Sequence, residues 1–338
     1  MLFTTNVGID LGTSSVLVYV KGKGIVLKEP SVVAVRKGEM ITVEAVGEEA
    51  SRMVGRTPAN LETIFPLEGG VISDYTYCEK MLRYYMQKAV GRPFFRPVVA
   101  VCTPCSITQV ERMAIVKTLE QVGARSVHLI EEPLAAALGA GIDVEKPGGC
   151  MVVDVGGGTT DIAVISMGKT IVSDSIRIAG NNFDRDIIAY MKKKYSLHIG
   201  QKTAEQIKIE IGQADHGEIS RQMEVMGRHA ISGLPFKVSV TGGEICDTLS
   251  ESVEQLSDAV MGVLEKTPPQ LSSDIASRGI LMTGGGSLLR GLDRVIAAKT
   301  GMDTFVAEDA VLSVAIGTGR FVDSLNGKKS IFSRKNTR

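Results

Sequence analysis

The stretch from Val152 to Ile165, VVDVGGGTTDIAVI, places three consecutive glycines between two apolar runs that resemble β-strands. Consecutive glycines weaken a strand and cost backbone entropy on folding. They suit a bare tight turn, or a backbone that approaches a ligand closely. The pattern therefore predicts a β-hairpin whose turn serves one of these two purposes.

A second stretch near the N-terminus repeats this pattern. It runs from Gly8 to Val18, GIDLGTSSVLV. Each stretch has a strand, an aspartate (Asp10 or Asp154), a turn of small residues and hydroxyls, and a second strand. One such turn alone is most simply an ordinary hairpin. The matching aspartates and hydroxyls instead predict two related domains, each opening with a β-hairpin.

The composition narrows the class of protein. A chain of 338 residues suggests two domains, and a hydrophobic fraction of 44% is ordinary for a globular protein. The formal net charge of zero argues against a nucleic-acid partner held by bulk charge. No apolar run reaches the ~18 residues of a membrane span, and residues 1–8 lack the features of a secretory signal. We therefore expect a cytoplasmic protein that binds no nucleic acid.

Further strand-like runs alternate with helical patterns, which is typical of an α/β protein with helices packed on its sheets. Helices are predicted to begin at Ser106 and Thr203, where a glutamine three residues later completes a capping box. Another is predicted to begin at Ser287, after a third cluster of glycines. A strand–glycine–helix turn lets a ligand lie at the helix N-terminus, although it also serves as a plain connection.

The two predicted turns form a candidate phosphate site. Phosphate oxygens accept hydrogen bonds from exposed backbone N–H groups and from hydroxyls, so two facing turns would hold a polyphosphate from both sides. Asp10 and Asp154 end the incoming strands, where carboxylates suit Mg²⁺ held partly through water, or simply cap the turns. The chain has no standard P-loop and no Gly-x-Gly-x-x-Gly fingerprint. The candidate phosphate-binding residues are Gly156, Gly157 and Gly158, with the hydroxyls of Thr13, Ser14, Ser15, Thr159 and Thr160.

These residues resemble the core of the actin, Hsp70 and sugar-kinase ATPase superfamily. The resemblance rests on the two hairpins and on the run Gly284–Leu289, GGGSLL. Further runs narrow the resemblance to the MreB/Mbl family of bacterial actin-like cell-shape proteins. These runs occur in the family's order through nearly the whole chain. Those runs are Val20–Val35, Val54–Pro58, Gly70–Tyr75, Ile130–Ala137, Ala204–Gly212, Ser232–Pro235 and Ala315–Gly319.

The resemblance implies an actin-like fold of two lobes, with ATP and Mg²⁺ in the cleft between them. Each lobe would be a related RNase H-like α/β domain with a smaller inserted subdomain. The first lobe would cover residues 1–141, with an insertion at about 33–66 and a C-terminal return at 312–338. The second would cover 142–311, with an insertion at about 182–240.

The resemblance also assigns roles to site residues. Asp10 and Asp154 would be catalytic and would hold Mg²⁺ through water. Glu132 would orient the attacking water, with Glu131 as the rival for that role. The family usually has Thr-Ala-Asn where this chain has Thr13-Ser14-Ser15, which puts nucleotide turnover in doubt but not binding through backbone N–H groups.

The same resemblance implies where the base and sugar of the nucleotide lie. On spacing alone, Glu205 and Lys208 would be a solvated ion pair on one helix face. The residues expected to contact ribose and adenine are Glu205, Gln206, Ile207 and Lys208 on one side, and Gly284, Gly285, Gly286, Ser287 and Leu288 on the other.

The family further implies a weak ATPase that polymerises with itself into filaments at the inner face of the cytoplasmic membrane. These filaments would direct cell shape by organising cell-wall synthesis with other cell-shape proteins. Phe94 and Phe95 lie between arginines in a proline-bounded loop, which suits insertion into lipid; packing into the core is the alternative. The basic tail at 328–338 would add charge attraction to lipid or only solubility.

Several other functions fit parts of the sequence. Cys102 and Cys105 are spaced and placed like a thioredoxin-type redox pair. A chaperone ATPase would need a peptide-binding domain, for which too few residues follow Gly319. A sugar kinase would need a catalytic base beside a sugar pocket, and none is recognisable. The remaining alternative is an ATPase of the superfamily that does not polymerise.

Overall fold

The computed structural model describes residues 5–38, 42–91, 95–217 and 220–325. Its strands, in chain order, are β1 (Asn6–Leu11), β2 (Ser15–Val20), β3 (Gly24–Pro30), β4 (Val33–Arg36), β5 (Thr42–Val46), β6 (Leu61–Ile64), β7 (Leu67–Glu68), β8 (Val71–Ile72), β9 (Val98–Thr103), β10 (Ser126–Glu131), β11 (Cys150–Val155), β12 (Thr160–Ser166), β13 (Lys169–Ile176), β14 (Leu197–His198), β15 (Gln222–His229), β16 (Pro235–Thr241), β17 (Ile280–Thr283) and β18 (Thr304–Val306).

Helices cover the larger sheets and connect the strands. In chain order they are α1 (Glu48–Met53), α2 (Tyr75–Val90), α3 (Gln109–Val122), α4 (Glu132–Gly139), α5 (Gly180–Tyr195), α6 (Gln201–Ile211), α7 (Gly242–Glu265), α8 (Pro269–Arg278), α9 (Leu292–Thr300) and α10 (Ser313–Ser324). Residues Gly285–Leu288 form a 3₁₀ turn.

Two five-stranded sheets share one topology. Their strand orders are β10-β9-β1-β2-β3 and β18-β17-β11-β12-β13. In the first sheet β1, β2 and β3 form an antiparallel meander, β9 pairs in parallel with β1, and β10 pairs in parallel with β9. In the second sheet β11, β12 and β13 form the meander, β17 pairs in parallel with β11, and β18 pairs in parallel with β17. This confirms the predicted α/β fold built from two related halves, each opening with a hairpin.

Burial explains why the second hairpin reads as two apolar runs. Every residue of β11 and of β12 is buried. A strand covered on both faces carries nearly continuous apolar residues rather than an alternating pattern. The two hairpin turns therefore project from the ends of well-packed strands.

Two three-stranded sheets, β5-β4-β6 and β14-β15-β16, accompany the large ones. The first lies within the predicted insertion at about 33–66. The second lies in the predicted insertion at about 182–240, except that β16 ends one residue later, at Thr241. The boundaries of the lobes and of their insertions stay predictions.

Helices α4 and α10 cross with their backbones in contact. A Cβ atom built on Gly317 would overlap the carbonyl oxygen of Ala135, and one built on Gly139 would overlap that of Ser313. Asn6 on β1 donates a 3.1 Å side-chain hydrogen bond to the carbonyl oxygen of Val322. Helix α10 thus returns from the second half of the chain to the first sheet.

Helices α3 and α6 begin at other residues than predicted. Helix α3 is capped by Thr108, whose side chain accepts from the backbone N–H of Glu111 while the Glu111 carboxylate accepts from Thr108. Its capping box therefore starts two residues after Ser106. Helix α6 follows Gly200, whose carbonyl oxygen already accepts a hydrogen bond from the backbone N–H of Thr203, so Thr203 lies inside the helix.

Candidate functional site

The turns of the two hairpins meet each other. A Cβ atom built on Gly157 would overlap the Ser14 hydroxyl, and one built on Gly158 would lie 2.5 Å from Oγ1 of Thr13. Thr13 Oγ1 also accepts a 2.9 Å hydrogen bond from the backbone N–H of Gly70. The consecutive glycines therefore allow the turn of one half to touch the turn of the other.

Two residues next to the meeting turns, Ser15 and Asn181, differ from the prediction. Ser15 is the first residue of β2 and pairs with Pro30, so it lies beyond the turn. Asn181, which the sequence patterns did not indicate, accepts a 3.4 Å hydrogen bond from the Ser14 hydroxyl. Its backbone N–H donates to the carbonyl oxygen of Gly157 at 2.8 Å.

Asp10 and Asp154 each lie one residue before the end of their strand, beside a hydrogen-bond donor from a neighbouring strand. Oδ1 of Asp154 accepts a 2.6 Å hydrogen bond from the Thr283 hydroxyl. Burial is the largest influence on both carboxyls, and it raises the pKa of Asp10 to about 6 and the pKa of Asp154 to about 7. Both sites would therefore favour a bound cation, which would lower these pKa values again.

Glu132 belongs to the same group of carboxylates. It is the first residue of α4 and is buried. Burial raises the pKa of Glu132 well above its ordinary value, and the charges of Asp161, Asp154 and Asp10 raise it further. Three buried acids, Glu132, Asp154 and Asp161, and the half-buried Asp10 therefore share one region of the protein.

Glu131 has a different environment. It ends β10, and its Oε2 accepts a 2.5 Å hydrogen bond from the Thr170 hydroxyl on β13. This bond occupies the carboxylate of Glu131, whereas Glu132 lies among the other acids. The choice between the two glutamates for orienting a water stays a prediction.

Asp161 is a member of the carboxylate group that the motif analysis missed. Its side chain is fully buried, and Oδ1 accepts a 2.8 Å hydrogen bond from the backbone N–H of Cys105. Burial raises its pKa, while the bond from Cys105 and the hydroxyls of Ser175 and Thr159 lower it. One signal was available in the sequence, because an acidic residue inside an otherwise apolar strand is unusual.

Lys208 forms an ion pair, but not with the partner that its spacing suggested. Its Nζ lies 2.8 Å from Oδ1 of Asp184 on α5 and donates to the carbonyl oxygen of Gly180 at 3.0 Å. Glu205 is exposed, and Ile207 is fully buried in the core of the second half. Asp184 lies far enough from Lys208 in sequence that no local pattern could have identified it.

The third glycine cluster packs on the end of β11. Gly284 has a positive φ of 81°, and a Cβ there would overlap the carbonyl oxygen of Val155. The Ser287 hydroxyl donates to the carbonyl oxygen of Gly284 at 2.7 Å, so it closes the 3₁₀ turn. The α-helix therefore begins only at Leu292, which corrects the start predicted at Ser287.

A cavity of about 650 Å³ opens beside the meeting turns, and pockets of this size hold small ligands. Among the predicted site residues it is lined by Thr13, Ser14, Gly158 and Glu205. Lys202 donates a short hydrogen bond to the carbonyl oxygen of Ser51 across it, from α6 to α1. The run Gly284–Leu288 does not contribute to its walls, so the structure gathers only part of the predicted set here.

The thiol pKa values of Cys102 and Cys105 do not suit a redox role. Burial raises the pKa of the Cys102 thiol well above its ordinary value, and burial also raises the pKa of Cys105. Redox-active thiols need a lowered pKa, because the thiolate is the nucleophile. The redox alternative is therefore disfavoured.

The predicted lipid-binding residues are only partly described. Phe94 lies outside the described residues, as does the basic tail at 328–338. Phe95 is 38% exposed. Within the described ranges, the structure has no helix with the length and apolar character needed to traverse a bilayer.

Comparison with known proteins places this geometry in a family. The family model described as MreB/Mbl protein matches residues 4–330. The cell shape-determining protein Mbl of Bacillus subtilis (strain 168) is 49% identical over 330 residues, which cover 96% of this chain and 98% of that protein.

Solved structures agree with this match. The crystal structure of MreB5 of Spiroplasma citri bound to AMPPNP is 37% identical, with a TM-score of 0.91 over 96% of this chain and 98% of that one. The MamK double helical filament is 20% identical, with a TM-score of 0.78 over 95% and 99%, and this likeness concerns the fold. The predicted actin-like fold is confirmed, and the chain belongs to the MreB/Mbl family.

Proposed function

We propose that this protein binds ATP with Mg²⁺ between its two hairpin turns and hydrolyses it slowly. The observation that carries the proposal is the contact of Gly157 and Gly158 with Ser14 and Thr13 beside a group of buried carboxylates. The Spiroplasma citri relative was crystallised with AMPPNP, an ATP analogue, which supports a nucleotide as the ligand. Thr13, Ser14 and the backbone N–H groups of 156–159 would bind the phosphates.

The carboxylates fit Mg²⁺ by their chemistry. Mg²⁺ prefers oxygen ligands and usually keeps several waters. Within the part of the chain that is described, no group of three or more His, Cys, Asp or Glu is placed to hold an ion alone. Asp10 and Asp154 would therefore hold Mg²⁺ together with water and phosphate oxygens. When bound, the ion would neutralise charge on the phosphates.

Glu132 would orient the attacking water. Phosphoryl transfer needs a positioned nucleophile and charge stabilisation more than covalent help from the protein. A carboxylate that accepts a hydrogen bond from the water directs the water's lone pair at the γ-phosphorus. Because burial favours the neutral form of Glu132, its ionised form depends on nearby positive charge, such as a bound cation.

The ATP hydrolysis would accompany assembly of the protein into filaments. The Bacillus subtilis relative is named for determining cell shape, and MamK, of the same fold, was solved as a double helical filament. We infer that this protein also polymerises, through head-to-tail contacts that give an open filament. The filaments would lie on the inner face of the cytoplasmic membrane, with Phe94 and Phe95 in contact with lipid, and would organise cell-wall synthesis with other cell-shape proteins.

Electron microscopy of the purified protein with ATP, Mg²⁺ and anionic liposomes, alongside measured phosphate release, tests this function. We expect filaments on the liposomes and slow phosphate release. The double variant Phe94→Ala/Phe95→Ala should lose lipid binding, whereas Phe65→Ala, which also removes an exposed phenylalanine, should keep it. Hydrolysis without filaments under any condition would favour the non-polymerising ATPase.

A further inference from the structure

One carboxylate oxygen at the meeting of the two halves has no partner. Oδ1 of Asp161 is satisfied by the backbone N–H of Cys105. Oδ2 is buried and has no hydrogen-bond partner among the described residues. A buried oxygen without a donor is unfavourable, so such an atom calls for an explanation.

The fold itself does not require an acid at this position. In the second hairpin Asp161 pairs with Asp154, and in the first hairpin Leu17 pairs with Asp10. The two halves have the same topology, so Leu17 and Asp161 occupy equivalent places. Leu17 is 2% exposed and Asp161 is fully buried. One half therefore fills this place with a leucine, while the other keeps a costly charge there.

The position of Asp161 suggests what it is kept for. Residues paired across an antiparallel ladder point to the same face, so Asp161 lies beside Asp154. The bond from Cys105, in the connection between β9 and α3, directs it towards the first half. Glu132 also belongs to that half, and Asp161 is the nearby charge that affects it most. The two carboxylates therefore lie close enough for their charges to interact.

We propose that Asp161 is a second catalytic carboxylate, whose Oδ2 accepts a hydrogen bond from the water that Glu132 orients. This inference rests on the proposed ATP hydrolysis. Two acceptors fix both hydrogens of a water and so fix the direction of its lone pair. The water oxygen then bonds to the γ-phosphorus as the bridging P–O bond breaks. ADP keeps the electron pair, and the proton lost by the water passes to solvent.

The substitution Asp161→Asn replaces one of the two carboxylate oxygens and keeps the other. The amide oxygen can still accept from Cys105, while an NH₂ donor replaces the free acceptor Oδ2. We expect single-turnover phosphate release to fall by about 100-fold, as for other positioned acid–base groups. The affinity for ATP with Mg²⁺ should remain that of the parent, and the melting temperature should not fall. The variant Asp161→Leu, which installs the residue of the first half, should lose hydrolysis as well.

Ser175→Ala is the matched control, because it removes a neighbouring hydroxyl and leaves both carboxylate oxygens. It should hydrolyse ATP near the parent rate. An Asp161→Asn variant with the parent's hydrolysis rate would overturn this inference but not the proposed ATP hydrolysis. So would an equal loss in Ser175→Ala, which would indicate a packing effect. A parent protein that binds or hydrolyses no ATP would overturn the proposed function, and this inference with it.

Discussion

The thiol of Cys102 donates a hydrogen bond to Oδ1 of Asp10, with 3.3 Å between sulfur and oxygen. Thr283 makes the corresponding bond to Asp154 in the other half. Strand β9 neighbours β1 as β17 neighbours β11, so the two donors occupy equivalent places. Each half therefore fixes its candidate Mg²⁺ carboxylate in the same way, one with a thiol and the other with a hydroxyl.

This equivalence predicts the effect of changing Cys102. Cys102→Ala removes the donor that holds Asp10, and we expect ATP to bind about fivefold more weakly with Mg²⁺, which corresponds to about 1 kcal/mol for one hydrogen bond. Cys102→Thr copies the donor of the other half and should keep the parent affinity. Calorimetric titration with ATP at fixed Mg²⁺ measures both. Parent affinity in Cys102→Ala would contradict the role of the thiol.

The adjacent acids Glu131 and Glu132 should differ in their effect on hydrolysis. Glu132→Gln should slow single-turnover phosphate release by about 100-fold, because it replaces one carboxylate oxygen with an NH₂ donor and removes the negative charge that orients the attacking water. Glu131→Gln keeps an oxygen that can accept from Thr170 and should release phosphate near the parent rate. If Glu131→Gln proves the slower variant, the two roles must be exchanged.

The buried acids predict a pH dependence of stability in the nucleotide-free protein. The pKa of Asp154 is about 7 in the folded protein, against 3.8 as the ordinary value. The folded protein therefore binds more protons than the unfolded chain in this window, and the resulting stability is lost as pH rises through about 7. Between pH 6 and 8 this loss is about 1–2 kcal/mol, or about 2 °C in melting temperature for a chain of this length.

Thermal melts of the parent and of Asp154→Asn at pH 6 and pH 8 test this sign. The parent should melt at a lower temperature at pH 8. The variant should show a smaller change between the two pH values, and the comparison cancels the other titrating groups. If the melting temperature of the parent rises from pH 6 to pH 8, and rises by more than that of the variant, Asp154 titrates in the opposite sense.

The glycine crossing of α4 and α10 predicts a large difference between two Gly→Ala changes. Gly317→Ala would force the two helices apart and should cost about 1–3 kcal/mol of unfolding free energy or more. Gly262→Ala lies on α7 with no atom within 4 Å of the new methyl group, and should stabilise by up to about 1 kcal/mol. Denaturant unfolding monitored by circular dichroism compares them. Equal stabilities would contradict the packing of α10 on α4.

Local patterns in the sequence were sufficient for the two hairpins and their aspartates, because a strand, a turn and a strand lie within about 14 residues. They placed the start of α3 at Ser106, whereas the capping residue in the structure is Thr108. They could not reveal that Cys105 bonds to Asp161, 56 residues away, or that Asp184 pairs with Lys208. Such contacts depend on how separate elements pack, and no local spacing encodes them.

Hydrogen exchange measured by mass spectrometry, with and without ATP and Mg²⁺, tests the two-sided phosphate site most directly. Peptides covering 8–18 and 152–165 report on the two turns separately. If both turns hold the phosphates, ATP with Mg²⁺ should slow the exchange of backbone N–H groups in both peptides. Slower exchange in only one peptide, or in neither, would contradict the account.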